Sequence, residues 1–147
     1  MTTYDPDQPR REDIDATSGP LMLAFGTDWC GYCRAAERFV APALGDHPDV
    51  PVVAVEDGKG RPLGRSYGVK LWPTLVFLKD GVEVDVEAVE YLPWHPGRCA
   101  ALKVGETVVG HAGELHPQIL EKLELPARTC ARSDVASASL VKLPWTA

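Results

Sequence analysis

Two cysteines two residues apart, Cys30 and Cys33, stand where an apolar run gives way to a helical pattern. The run Leu21-Met22-Leu23-Ala24-Phe25 reads as a buried strand from Leu21 to Gly26 by its unbroken apolar character. Gly31 to Leu44 reads as a helix with Ala35, Ala36, Phe39, Val40 and Ala43 on one face. Pro42 is expected to kink or end that helix, because proline lacks an N–H and crowds the preceding turn. A Cys-x-x-Cys pair at such a strand-to-helix junction is the signature of a dithiol/disulfide redox centre. The helix start presents unpaired N–H groups and a partial positive charge, and both favour a thiolate at Cys30. The thiolate is the form that attacks a disulfide.

The flanking segments extend the alternation. Residues 1–8 read as a disordered lead, and Arg10 to Ala16 as a short helix closed by Ser18-Gly19-Pro20. Val50 to Val55 is a second buried strand, and Glu56 to Pro62 a Gly/Pro-rich loop. Leu63 to Tyr67 is a short helix capped by Gly68. Pro73 to Leu78 is a third strand, followed by a Lys79-Asp80-Gly81 hairpin turn. Val82, Val84, Val86 and Ala88 alternate with Glu83, Asp85 and Glu87, the period of a half-buried strand.

That order, with Trp29-Cys30-Gly31-Tyr32-Cys33, Tyr67-Gly68-Val69-Lys70-Leu71-Trp72-Pro73-Thr74-Leu75 and Lys79-Asp80-Gly81, resembles the thioredoxin family over residues 10–90. The resemblance implies an α/β fold, a central mixed sheet flanked by helices. It also implies that Pro73 is cis, lies against the Cys-x-x-Cys, and has neighbours that offer backbone groups to an extended substrate. Two departures stand out. Gly31-Tyr32 replaces the usual Gly-Pro and is similar to the dipeptide of some periplasmic disulfide isomerases. Ala24 stands where thioredoxins usually place a buried Asp that takes the proton of the resolving cysteine. Glu56 or Asp57 would have to stand in, or both are solvated loop residues.

Beyond residue 85 the character changes. Tyr91 to Ala100, Gly110 to Pro117 and Leu125 to Thr129 resemble a segment of the bacterial phenylalanyl-tRNA synthetase beta subunit, over residues 86–130. In that family the segment is non-catalytic, so the likeness implies no aminoacylation. Ala100 to Val104 and Thr107 to His111 read as a hairpin turning at Gly105-Glu106. Pro117 to Leu125 reads as a helix with Ile119, Leu120 and Leu123 apolar. That helix is expected to dock on the first sheet, as the final helix of a thioredoxin does. Residues 131–147 carry little pattern and read as loose. The division is thus a thioredoxin-like domain at 1–90 and an extension at 91–147, the seam near Asp85 being natural or engineered.

The expected chemistry is thiol–disulfide exchange. Cys30, the more exposed thiol, attacks a protein disulfide, and Cys33 resolves the mixed disulfide. Trp29, Gly31, Tyr32, Trp72, Pro73 and Thr74 form the expected substrate-binding set. Trp29 either covers the disulfide or is a core aromatic, and Trp72 either narrows the groove or packs on Trp29. A closed zinc site needs about four ligands. No second Cys-x-x-Cys accompanies Cys99, Cys130, His95, His111 and His116, so no metal and no organic cofactor is expected. Cys99 and Cys130 read as free thiols or a redox-linked pair, and the histidines and the acidic run at Glu83, Asp85, Glu87 and Glu90 as surface. A formal net charge of −6 argues against nucleic acid. No run is long enough to span a bilayer, and no apolar signal core opens the chain, which points to the cytoplasm. Expected partners are protein disulfides and a disulfide reductase or small thiol as electron donor. The alternative is a non-enzymatic thioredoxin-like binding module or chimera with a synthetase-derived tail.

Overall fold

The apolar run forms strand β1, Pro20–Gly26, in a computed structural model that describes residues 3–134 and 137–142. The chain divides into two units, Met1–Glu83 and Val84–Ala147. In the first unit β1 follows helix α1, Arg11–Asp15. Helix α2 spans Gly31–Gly45, β2 Val52–Glu56, α3 Pro62–Ser66 and β3 Thr74–Lys79. β4, Val82–Ala88, crosses the division.

β1 is unbroken in its apolar character because it is paired on both edges and covered on both faces. It runs parallel to β2, from Met22 opposite Val52 to Gly26 opposite Glu56. It runs antiparallel to β3, from Pro20 opposite Lys79 to Phe25 opposite Thr74. Alternate side chains point to opposite faces. Leu21, Leu23 and Phe25 join Val55, Val76 and Leu78 on one face, against Ile14, Leu63 and Tyr67. Met22 and Ala24 point to the other face, where they share a groove with Cys33, Ala36, Val40 and Leu44 of α2. Asp80 and Gly81 close the β3–β4 turn with φ of 52° and 75°, the left-handed pair that a two-residue hairpin needs.

Three local expectations are corrected here. Of the expected lead at 1–8, residues 1 and 2 lie outside the described residues and 3–8 are not loose: Asp5 bridges Val55 in parallel, and the Gln8 side-chain amide donates to the Glu56 carbonyl at 3.0 Å. Backbone bonds to an open strand edge leave no apolar period to read. Of the expected inward face of α2, Ala36 and Val40 line the groove with the buried Cys33, while Phe39 is 73% exposed. Pro42 lies inside α2, which continues to Gly45. Pro42 and Arg38 both lie on the exposed side, where solvent can take the carbonyl that proline leaves without a donor.

The second unit is an antiparallel sheet. β5, Trp94–Val104, and β6, Thr107–Leu115, form a hairpin longer than expected, turning at Gly105 with φ +56°. β4 pairs with β5 from Val84 opposite Val104 to Ala88 opposite Ala100. Helix α4 is Pro117–Lys122, with His116 as N-cap. On its apolar side Leu120 is buried with Trp94, Cys99, Leu115 and Ala131 in a core of the second unit. The register places those residues on one face of a sheet with its own helix, so α4 has a local place to bury Leu120. The stretch expected to be loose forms strands β7, Cys130–Asp134, and β8, Ser137–Lys142. Backbone pairing to β6 and β7 orders them despite their polar sequence. Residues 135, 136 and 143–147 lie outside the described residues. Among the described residues no helix is long and apolar enough to cross a membrane.

Candidate active site at the start of helix α2

β1 delivers the chain to the Thr27-Asp28-Trp29 turn, and Cys30 N–H bonds back to Thr27 O at 3.1 Å. Cys30 is the N-cap of α2, with extended backbone at φ −71° and ψ 117°. A cap residue offers its side chain to the orphan N–H groups of the first turn. Here the acceptor is sulfur: the Cys33 N–H donates to Cys30 Sγ at 3.3 Å.

The two thiols are driven in opposite directions. Cys30 is held below the ordinary thiol range, first by a hydrogen bond from the Cys33 side chain, then by the N–H groups of Cys33 and Tyr32 and the charge of Arg34, all against its own desolvation. Cys33 is pushed up, first by burial and next by its bond to Cys30. The Thr27 backbone and the Tyr4 phenol pull Cys33 the other way. The helix start thus favours the thiolate at Cys30, and burial favours the protonated thiol at Cys33. Both residues are buried, at 7% and 5% exposure, so the expected difference in accessibility is slight. What distinguishes them is the set of donors at the helix start for Cys30 and desolvation for Cys33.

Around the pair the expected residues fall into two groups. Trp29 and Tyr32 are 71% and 80% exposed, so Trp29 is not a core aromatic. The Trp29 and Trp72 rings meet edge to face with centroids 5.8 Å apart. Trp72 Nε1 donates to Asp57 Oδ2 at 2.8 Å, which fixes the indole. The Trp72–Pro73 peptide is cis, and Pro73 shares the groove that holds Cys33. Thr74 opens β3 and donates its hydroxyl to Leu71 O at 2.7 Å. Gly31 opens α2 with free space around its Cα. Neither expected substitute for the missing acid at Ala24 lines the groove that holds Cys33. Asp57 is engaged by Trp72, and Glu56 pairs with Arg61 at 3.1 Å.

A residue that the sequence reading passed over sits here instead. Tyr4 and Cys33 line the same groove. They meet across Gly26, where an added Cβ would lie 2.7 Å from both Cys33 Sγ and Tyr4 Cζ. Gly26→Ala is therefore expected to destabilise the first unit by about 1–3 kcal/mol through overpacking. A urea titration checks this, and an unchanged midpoint would mean the contact yields freely.

The remaining candidates lie elsewhere. Cys99 is buried in the second unit, its thiol pushed up by desolvation. It pairs in register with Gly113, whereas Cys130 pairs with Glu114, and both thiols are free. His111 stacks on Tyr91 at 4.8 Å, and His116 Nδ1 accepts from Gln118 N–H at 3.2 Å. His95 lies by the Pro96 carbonyl. Glu87 of the acidic run pairs with Lys103. Among the described residues no three His, Cys, Asp or Glu gather in a way that holds a metal.

A thiol pair at the start of a helix that follows a central strand defines a thioredoxin-type site, and the chain belongs to the thioredoxin family, whose model matches residues 6–91. The reduced thioredoxin 2 of Pseudomonas aeruginosa PAO1 is similar, with a TM-score of 0.51 and 52% identity over 56% of this chain and 76% of that one. A second model, the phenylalanyl tRNA synthetase beta chain CLM domain, matches residues 66–132 and overlaps the first. The phenylalanine–tRNA ligase beta subunit of Corynebacterium diphtheriae is 69% identical over 61 residues, 41% of this chain and 7% of that protein. That of Corynebacterium glutamicum is 59% identical over 120 residues, 74% of this chain and 14% of that protein. The chain thus spans only a small fraction of the ligase subunits it matches.

Proposed function

We propose that this chain is a thiol–disulfide oxidoreductase that exchanges the Cys30/Cys33 dithiol with protein disulfides. The observation that carries the reading is the Cys33 N–H directed at Cys30 Sγ at the start of α2. A sulfur in that position is stabilised as the anion. Cys30 thiolate attacks one sulfur of a substrate disulfide, forming a mixed disulfide and expelling the other sulfur as thiolate. Cys33 then attacks Cys30 Sγ. The Cys30–Cys33 disulfide forms, the second substrate sulfur leaves, and the Cys33 proton balances its charge. The substrate is reduced by two electrons and the protein is oxidised by two. A disulfide reductase or small thiol restores the dithiol, and no organic cofactor enters the chemistry. The exposed rings of Trp29 and Tyr32 and the Trp72-Pro73-Thr74 segment are the proposed substrate contacts.

The second reading is a non-enzymatic binding module or chimera. It is favoured by Ala24, which offers no proton acceptor, and by the synthetase-like residues 66–132. Turnover of a protein disulfide with dithiothreitol as reductant separates the two. Many turnovers per molecule support the oxidoreductase. A rate no faster than dithiothreitol alone leaves the binding module.

A further inference from the structure

We propose that Tyr4 is a positioning residue for Cys33, its phenol O–H donating to the Cys33 sulfur and holding the thiolate that forms when Cys33 resolves the mixed disulfide. The inference rests on the dithiol reading of Cys30 and Cys33 and assigns a role to a residue outside the Cys-x-x-Cys segment.

The backbone holds Tyr4 in place. Its N–H donates to Asp28 Oδ1 at 3.0 Å. The next residue is anchored to β2 by Asp5 N–H to Ala54 O at 3.0 Å and Glu56 N–H to Asp5 O at 2.8 Å. The half-buried ring then reaches over Gly26, which alone leaves room for both Tyr4 and Cys33. Between a phenol and a sulfur packed this closely, the O–H donates and the sulfur accepts. A bond donated in that sense favours the thiolate at Cys33 and disfavours the phenolate at Tyr4. Burial first, and the two thiols next, push the Tyr4 phenol above its usual range, which suits a donor and not a base.

This supplies what Ala24 lacks by a different route. In resolution, Cys33–SH and the Cys30–substrate disulfide give the Cys30–Cys33 disulfide and a substrate thiol. The Cys33 proton passes to the departing substrate sulfur and Tyr4 retains its own. The charged and titratable groups around Cys33 are Cys30 at the cap, Arg34 and Glu37 on α2, Asp28 on the preceding turn, and Tyr4. Tyr4 is the one among these that comes from the N-terminal segment.

The test compares Cys30→Ser with Cys30→Ser/Tyr4→Phe. The rate of Cys33 alkylation by iodoacetamide is followed against pH, resolved by site with mass spectrometry. Tyr4→Phe keeps the ring and removes the donor. The midpoint for Cys33 is expected to move up, with the thiolate fraction at pH 7 falling roughly three- to tenfold. Alkylation of Cys99 and Cys130 is followed in the same samples. Those profiles report the second unit; amide hydrogen exchange in β1 and β2 reports the first, and if it changes, Tyr4→Leu is compared in the same way. A Cys33 midpoint that does not move, or that moves down, in a folded variant overturns the proposal. No substrate disulfide enters the measurement, so failure of the dithiol reading would appear separately, as absent turnover in the wild-type chain.

Discussion

Cys30→Ser is expected to reduce protein-disulfide turnover to the dithiothreitol background, a loss of about a thousandfold or more. The attacking sulfur and the bond it forms in the mixed disulfide are both removed, and a serine hydroxyl at the same cap stays protonated at any working pH. The cap itself survives, because a serine oxygen is a good acceptor for the Cys33 N–H. Fold and function therefore separate in this variant: the melting temperature should barely move while turnover disappears. The pH dependence of the wild-type chain follows from the direction of its shifts. Cys30 is an acid held below the ordinary thiol range, so its thiolate fraction at any given pH exceeds that of an ordinary thiol. The rate should fall about tenfold per pH unit once the pH drops below that lowered value. An inflection at the ordinary thiol value near 8.5 would mean that the helix start does not activate Cys30. Residual turnover in Cys30→Ser above background would place the nucleophile elsewhere.

Phe25→Ala is expected to destabilise the first unit by about 3–5 kcal/mol. Phe25 is fully buried at 0% exposure, on the central strand. Its ring lies 5.8 Å from that of Tyr67 and is packed among the side chains of both neighbouring strands. Truncation removes the largest side chain of that face and leaves a cavity that paired strands cannot close. Typical domains have a stability of about 5–15 kcal/mol, so the variant sits near its unfolding threshold at physiological temperature. Urea unfolding followed by fluorescence, with Trp94→Phe and Trp145→Phe in the background so that Trp29 and Trp72 report the first unit, measures the loss. A loss below about 1 kcal/mol would contradict the core assignment. Phe25 contacts none of the proposed chemistry, so turnover should track the folded fraction and show no separate defect.

The parts of the fold legible in the sequence are those written in periodicity and turn chemistry. β1, β2 and β3 are short apolar runs bounded by turns, and Asp80-Gly81 takes the left-handed backbone that its residue types favour. The Cys-x-x-Cys and its helix were equally legible, because the strand-to-helix junction is local. The misreadings share a different cause: the deciding interactions are distant in sequence. Asp5 is held by backbone bonds to Ala54 and Glu56, which no local pattern encodes, and Tyr4 was passed over with it. The face of α2 was misread in part because its most buried position is Cys33, whereas Phe39, the strongest apolar residue on the helix, faces solvent. β7 and β8 were missed because Ser, Ala and Arg dominate them and pairing alone makes them strands. The helix at Pro117–Lys122 was found, but what it buries against was set by Trp94 and Leu115, which come from two other strands.

The central claim is that Cys30 and Cys33 act as one two-electron redox pair. The most direct test equilibrates the wild-type chain across a glutathione series and quantifies the Cys30–Cys33 disulfide after acid trapping. The account predicts a single two-electron transition within the range of dithiol oxidoreductases, about −270 to −120 mV. Thiols at Cys30 and Cys33 that never pair across the series, or a transition with one-thiol stoichiometry, would contradict it.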